Sequence, residues 1–149
     1  MISLKIDNVK EFMSALFFSE MFDRFLVMDV EIKMLFTTTI SGRINSGWNQ
    51  DEGQQEQTSQ EYVCWKQLRE KVCNLIKGKQ APLEMNICYL HVMENKDVAS
   101  LKIMFSQEGL RIMTGYSDAD FTLDRTKKQQ WDENNREFLK KHNIAFEEE

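Results

Sequence analysis

The period of the apolar positions changes several times along this chain, and each change marks an element. Ile2 to Ile6 alternates apolar and polar residues, the pattern of a short strand with one wet face. Val9, Phe12, Met13, Leu16 and Phe17 then recur at helical spacing. Asp7 just before them can accept the free amide hydrogens of a helix start, so a helix is predicted over about 8–22. Phe18, Met21, Phe22 and Phe25 add apolar surface, so this helix is either almost wholly buried or presents a second apolar face to a partner. From Met28 the period is two again. Met28, Val30, Ile32 and Met34 alternate with Asp29, Glu31 and Lys33, and Phe36, Thr38 and Ile40 keep the register. No Gly, Asn or Pro interrupts 28–40, which predicts one long strand or two joined by a bend. Turn chemistry first arrives at Ser41-Gly42.

Residues 45–60 are almost all polar, with Trp48 the one large apolar group, and predict a long loop on which Trp48 folds back against the domain. Tyr62-Val63-Cys64 fits a short strand. Trp65, Leu68, Val72, Leu75 and Ile76 mark a second helix, with Gly78 as its C-cap and Pro82 beyond. Leu83 to Val92 predicts a strand, Glu94 to Asp97 a turn, and Leu101, Ile103 and Phe105 a further strand. Gln107-Glu108-Gly109 closes a hairpin onto Leu110, Ile112 and Thr114. Phe121-Thr122-Leu123 reads as a last short strand. Asp124 then caps a helix over about 124–142 with Trp131, Phe138 and Leu139 on its apolar side; Ile144 and Phe146 pack after it, and Glu147-Glu148-Glu149 frays.

The order helix then β-rich segment occurs twice, over about 2–58 and 60–123. The expected architecture is therefore a single α+β domain of 149 residues: an antiparallel sheet with two pseudo-repeated helix-plus-strands halves, and an extra C-terminal helix. Ten Phe and nine Met are too many apolar groups for a disordered chain, and a chain of this length buries roughly 68–70% of its unfolded surface. The net charge of −5 excludes a protein that coats nucleic acid over its whole surface. It leaves room for a local basic face, because residues 66–79 carry five Lys or Arg against one Glu. The cysteines, at 64, 73 and 88, are odd in number and form no CxxC, which fits reduced thiols. The first residues have no apolar leader, and no stretch approaches the roughly 20 apolar residues that span a bilayer. A cytoplasmic protein with no membrane contact is expected.

The segment Trp65-Lys66-Gln67-Leu68-Arg69-Glu70-Lys71-Val72-Cys73-Asn74-Leu75-Ile76-Lys77-Gly78, followed by the Leu83–Val92 strand and the Leu101–Thr114 hairpin, resembles half of one domain of the DNA sliding clamps. Those domains are built from two such halves, and here the order of elements covers about residues 2–123. The chain differs in having one such domain, where clamps use two or three per subunit, and in the added helix after Asp124. Its Ile76-Lys77-Gly78-Lys79 turn is also similar to that of a small uncharacterised bacterial family, a domain of unknown function with no known activity. The clamp resemblance implies Lys66, Arg69, Lys71, Lys77 and Lys79 as residues that meet the phosphate backbone. Such contacts are independent of sequence and weaken steeply with salt. Lys66 and Arg69, three apart, share a face that Cys73 and Lys77 continue. The plainer reading is a solvated helix face with cations at its C-terminus.

Other constellations carry less. Asp118 and Asp120 at i, i+2 can share a cation if they lie in a strand, but a lone DxD is a frequent accident and the pair reads first as turn residues before the N-cap Asp124. Cys88 and His91, three apart in a strand, fall on opposite faces, so no metal site is expected. No G-x-S-x-G, P-loop or G-x-G-x-x-G occurs. The expectation is a non-catalytic binding module without cofactor, clamp-like and acting on DNA or DNA-handling proteins. The alternatives are a protein-interaction or self-assembly module that uses the first helix and sheet edges, and a metal-dependent enzyme that uses Asp118 and Asp120.

Overall fold

The computed structural model describes residues 1–48 and 61–149. Seven strands form one antiparallel sheet: β1 (Ser3–Ile6), β2 (Leu26–Lys33), β3 (Thr37–Ser41), β4 (Glu84–Val92), β5 (Val98–Ser106), β6 (Gly109–Ser117) and β7 (Phe146–Glu148). Their order across the sheet is β3-β2-β4-β5-β6-β1-β7. Among the described residues there are also three helices, α1 (Val9–Phe18), α2 (Trp65–Ile76) and α3 (Thr126–Lys141). This is the expected α+β class.

Register fixes which face is buried, because residues opposite one another on paired strands point the same way. Ile40, Val30, Ile87, Ile103, Ile112 and Leu4 form one continuous cross-strand row. All but Ile40, at the β3 edge, are buried. All three helices pack over this face. Trp65 of α2 meets the Tyr89 ring edge-on, and Phe138 of α3 meets Phe22, which stacks on Tyr89. Phe12 of α1 also packs against Phe22. Trp65 is fully buried, and its indole N–H donates to the Leu16 carbonyl at 2.8 Å, which fastens α2 to α1. Burying a ring of that size stabilises by roughly 2–3 kcal/mol. The opposite face carries alternating residues such as Lys102, Met104 and Arg111, and among the described residues no helix covers it.

Several boundaries differ from expectation. Asn8, not Asp7, caps α1, its side chain accepting from the Glu11 amide at 3.0 Å. Asp7 is held one step back, its amide donating to the Ala145 carbonyl. The helix stops at Phe18, and turns occupy 21–24 where the apolar pattern predicted further helix. The 28–40 stretch is two strands, β2 and β3, with the bend at 34–36 closed by Met34 N–H to the Phe36 carbonyl. Gly42 is not a turn residue; a Cβ there would sit 1.8 Å from the Val27 carbonyl oxygen, beside a bulge in β2. Tyr62 and Cys64 make single bridges, to Arg43 and Leu26, rather than a strand. Lys77, not Gly78, is the C-cap of α2.

Phe121-Thr122-Leu123 is not a strand: it pairs with nothing, and Phe121 is 91% exposed. Asp124 does hold the start of α3, accepting from the Thr126 amide and hydroxyl at 2.9 and 2.6 Å, although Arg125 occupies the cap position. The C-terminal glutamates are not frayed, because β7 pairs with β1 and brings Glu148 to Arg136 and Glu149 to Arg111. Trp48 does not fold back; it is 83% exposed. Most of the predicted 45–60 loop, from 49 on, lies outside the described residues. Among the described residues no helix is long and apolar enough to cross a membrane.

Candidate functional site

The basic segment is carried by α2, which an amphipathic pattern seats firmly. Trp65 and Val72 are buried, and Leu68 and Ile76 pack against the same core. Its first amides are occupied: Trp65 N–H donates to the Phe25 carbonyl, Lys66 N–H to the Asp23 carbonyl, and the Gln67 side chain accepts from Cys64 N–H. This end is therefore docked on the α1–β2 connection, and the helix can offer a partner only its outward side.

The five basic candidates divide. Lys66, Lys71, Lys77 and Lys79 are exposed, and their ammonium groups have no ion-pair or hydrogen-bond partner among the described residues. Arg69 departs from them. Its guanidinium donates to the Ser19 carbonyl and lies 3.5 Å from Asp23 Oδ1, with the two side chains 23% and 11% exposed. The expectation that Lys66 and Arg69 share one solvent face is thus corrected: Arg69 turns inward to neutralise a buried carboxylate. Lys66 and Lys77 lie three turns apart on one side of the helix, about 16 Å along its axis. Lys71 sits further round the outer side, with Glu70 between. Lys10 of the neighbouring α1 is exposed as well, beside Glu11. The outward side of the two helices thus carries an excess of unpaired positive charge on a chain whose net charge is −5.

The apolar excess of α1 is mostly spent inside. Phe17 and Phe22 are buried and Met13 and Met21 pack against the core, so only Phe18 is exposed. A broad second apolar face on this helix is not formed.

Asp118 and Asp120 belong to a polar knot at the end of the β5–β6 hairpin. Its centre is Asp97, a residue not singled out by sequence, which accepts from Ala119 N–H at 2.7 Å, the Tyr116 hydroxyl at 2.6 Å and the Asn95 side chain at 2.9 Å. The Ala119 amide and the Tyr116 hydroxyl hold the Asp97 carboxyl below its ordinary range. In return the Tyr116 phenol is pushed up to about 12, chiefly by its hydrogen bond to Asp97. Asp118 pairs with Lys128 at 3.2 Å. No group of three or more His, Cys, Asp or Glu side chains is arranged to hold a metal ion among the described residues. The only sequence signal for Asp97 was its place in the Glu94–Asp97 turn. Cys88 faces the open side of the sheet near Met28 while His91 stacks on Trp131 on the helix side, as their spacing predicted. Cys64, Cys73 and Cys88 are all free thiols.

Fold and site together define a one-sided antiparallel α+β domain with a basic helix on its covered side. The chain belongs to DUF5721, a family of unknown function, which matches residues 15–100 and 91–147. No curated protein and no solved structure matches it.

Proposed function

We propose that this protein is a non-catalytic binding module, clamp-like in organisation, whose α2 face meets the phosphate backbone of DNA. The observation that carries this reading is the set of four exposed lysines, 66, 71, 77 and 79, without ion-pair partners among the described residues, on one short helix and its exit. Among the described residues, seven other cations, Arg43, Arg111 and Arg136 included, are paired with carboxylates. A helix followed by antiparallel strands on each side of residues 49–60, with β1 and β6 paired in one sheet, supports the clamp-like part. Contacts of this kind are electrostatic, so the logarithm of the affinity should fall linearly with the logarithm of salt concentration. Titrating a fluorescent duplex at several salt concentrations tests it. Saturable binding with a slope that drops by about one per lysine reversed supports the proposal. Binding that ignores salt, or no binding at low salt, removes it.

A second reading, a protein-interaction module, has one specific observation behind it. Leu35, 97% exposed, and Phe36 project from the β2–β3 turn, next to the unpaired edge of β3. Concentration-dependent mass in light scattering, lost in Leu35→Ser/Phe36→Ser, would favour it. The metal-enzyme reading has the least support, since Asp118 is paired with Lys128.

A further inference from the structure

On the helix-covered side, beside the N-terminal end of α2, a cavity of about 300 Å³ opens where the α1–β2 connection, the end of β4 and α3 meet. Its walls are aromatic: Phe25, Tyr89 and Trp131. These rings are fixed before any ligand arrives. Trp131 Nε1 donates to the Ser100 carbonyl at 3.0 Å, and its indole lies parallel to the His91 ring. Phe25 is set edge-on to both Phe22 and Tyr89, with centroids 5.1 and 5.3 Å apart. Leu101, paired with Tyr89 on the same face, continues the apolar lining. The Tyr89 hydroxyl is buried without a hydrogen-bond partner, so one wall residue carries a donor that the described part of the fold does not use.

The charge of the lining has one sign. That sign comes from Arg24, since no carboxylate among the described residues lines the cavity. Arg24 is exposed and has no ion pair among the described residues, because its neighbour Asp23 is engaged by Arg69. An unpaired guanidinium at the mouth of an aromatic slot selects a ligand with a flat apolar body and a planar anionic head, for which the Arg fork is suited. The volume lies at the lower end of ligand cavities, equal to about ten water molecules, which limits the body to one or two fused rings.

We infer that this cavity binds a small aromatic carboxylate, its rings between Phe25 and Trp131 and its carboxylate on Arg24. The inference is independent of the DNA proposal.

The test uses the full chain and two probes, 2-naphthoate and its uncharged analogue 2-naphthylmethanol. The readout is the indole N–H resonance of Trp131, identified by its absence in Trp131→Phe. Saturable movement of that resonance with 2-naphthoate, at least about tenfold weaker with the alcohol, is expected. Arg24→Gln, an exposed change that leaves the core intact, should reduce naphthoate to the level of the alcohol. Leu101→Phe, or Phe25→Trp if the first does not fold, should weaken both probes by about tenfold by filling the cavity. No saturation, movement confined to the Trp48 or Trp65 resonances, or naphthoate binding unchanged in Arg24→Gln would overturn the inference.

Discussion

Arg69 reaches across from α2 to Asp23 at the end of the α1–β2 turns, forming a largely buried ion pair 3.5 Å long and capping the Ser19 carbonyl as well. This contact explains why the basic residues of α2 do not act as one set. Removing the guanidinium leaves a buried carboxylate unpaired, which costs more than any surface pair contributes. Arg69→Ala should therefore lower unfolding free energy by about 3 kcal/mol, whereas Lys66→Ala should change it by less than about 0.5 kcal/mol. Chemical denaturation of the two variants checks this. Equal effects would show that Arg69 is a surface residue after all.

The polar knot around Asp97 predicts a defined pH dependence. Its carboxyl titrates below the ordinary value of 3.8 because the Ala119 amide, Tyr116 and Asn95 favour the ionised form. The folded state therefore holds this proton less tightly than the unfolded chain. The stabilisation is whole above about pH 4 and is lost as pH falls through the folded pKa. Asp97→Asn should melt lower than the parent at pH 7, yet lose less of its melting temperature between pH 7 and about pH 2.5. Parallel curves for the two proteins would contradict the assignment.

The C-terminal strand should behave as a clip. Arg136 donates to both Glu148 oxygens, at 2.7 and 3.1 Å, and to Glu133 at 3.0 Å. The Asp7 amide and the Ala145 carbonyl bond just beyond the strand. Arg136→Ala should cost only about 1 kcal/mol, since the pair is largely solvated. Its local signature should be larger: faster hydrogen exchange at Asp7 with the amides of β4 and β5 unchanged. Uniform acceleration through the sheet would mean that β7 belongs to the core instead.

Gly42 is required for space rather than for a turn. The carbonyl of Val27 occupies the place of its side chain, and its own amide and carbonyl bond Met28 and Val63. Gly42→Ala must displace β2 at its bulge and should cost about 3 kcal/mol, at the upper end for overpacking. Thermal unfolding measures it, with Gly47→Ala as a comparison: nothing crowds its Cβ position, but its φ of +86° strains an alanine, so it should lose about 1 kcal/mol, less than Gly42→Ala.

The elements that sequence made legible are those whose packing is local and periodic. Trp65 to Ile76 and the β4–β5–β6 meander follow their apolar spacing almost to the residue, because each buries one regular stripe. Phe121 to Leu123 carried the apolarity of a strand and found no neighbour to pair with. Glu147 to Glu149 carried the polarity of a tail and found β1 to pair with and two arginines to bind. Both errors have one cause: strand pairing is decided by partners more than a hundred residues away, which no local pattern encodes. The same holds for the sites. Lys66, Lys71, Lys77 and Lys79 were legible as an exposed face. The inward turn of Arg69 depended on Ser19 and Asp23, some 50 residues earlier, and the aromatic cavity on Arg24, His91 and Trp131 meeting from three separate segments.

The most direct test of the α2 proposal compares two charge reversals of equal size in different places. Lys66→Glu/Lys71→Glu alters the outward side of α2. Lys140→Glu/Lys141→Glu alters the exposed end of α3, and both leave the core untouched. Fluorescence anisotropy of a labelled duplex at low salt would be followed for the parent and both variants. The proposal predicts that the α2 variant loses binding by at least about tenfold while the α3 variant stays within about twofold of the parent. Equal losses in the two variants, or a duplex that binds none of the three, would contradict it.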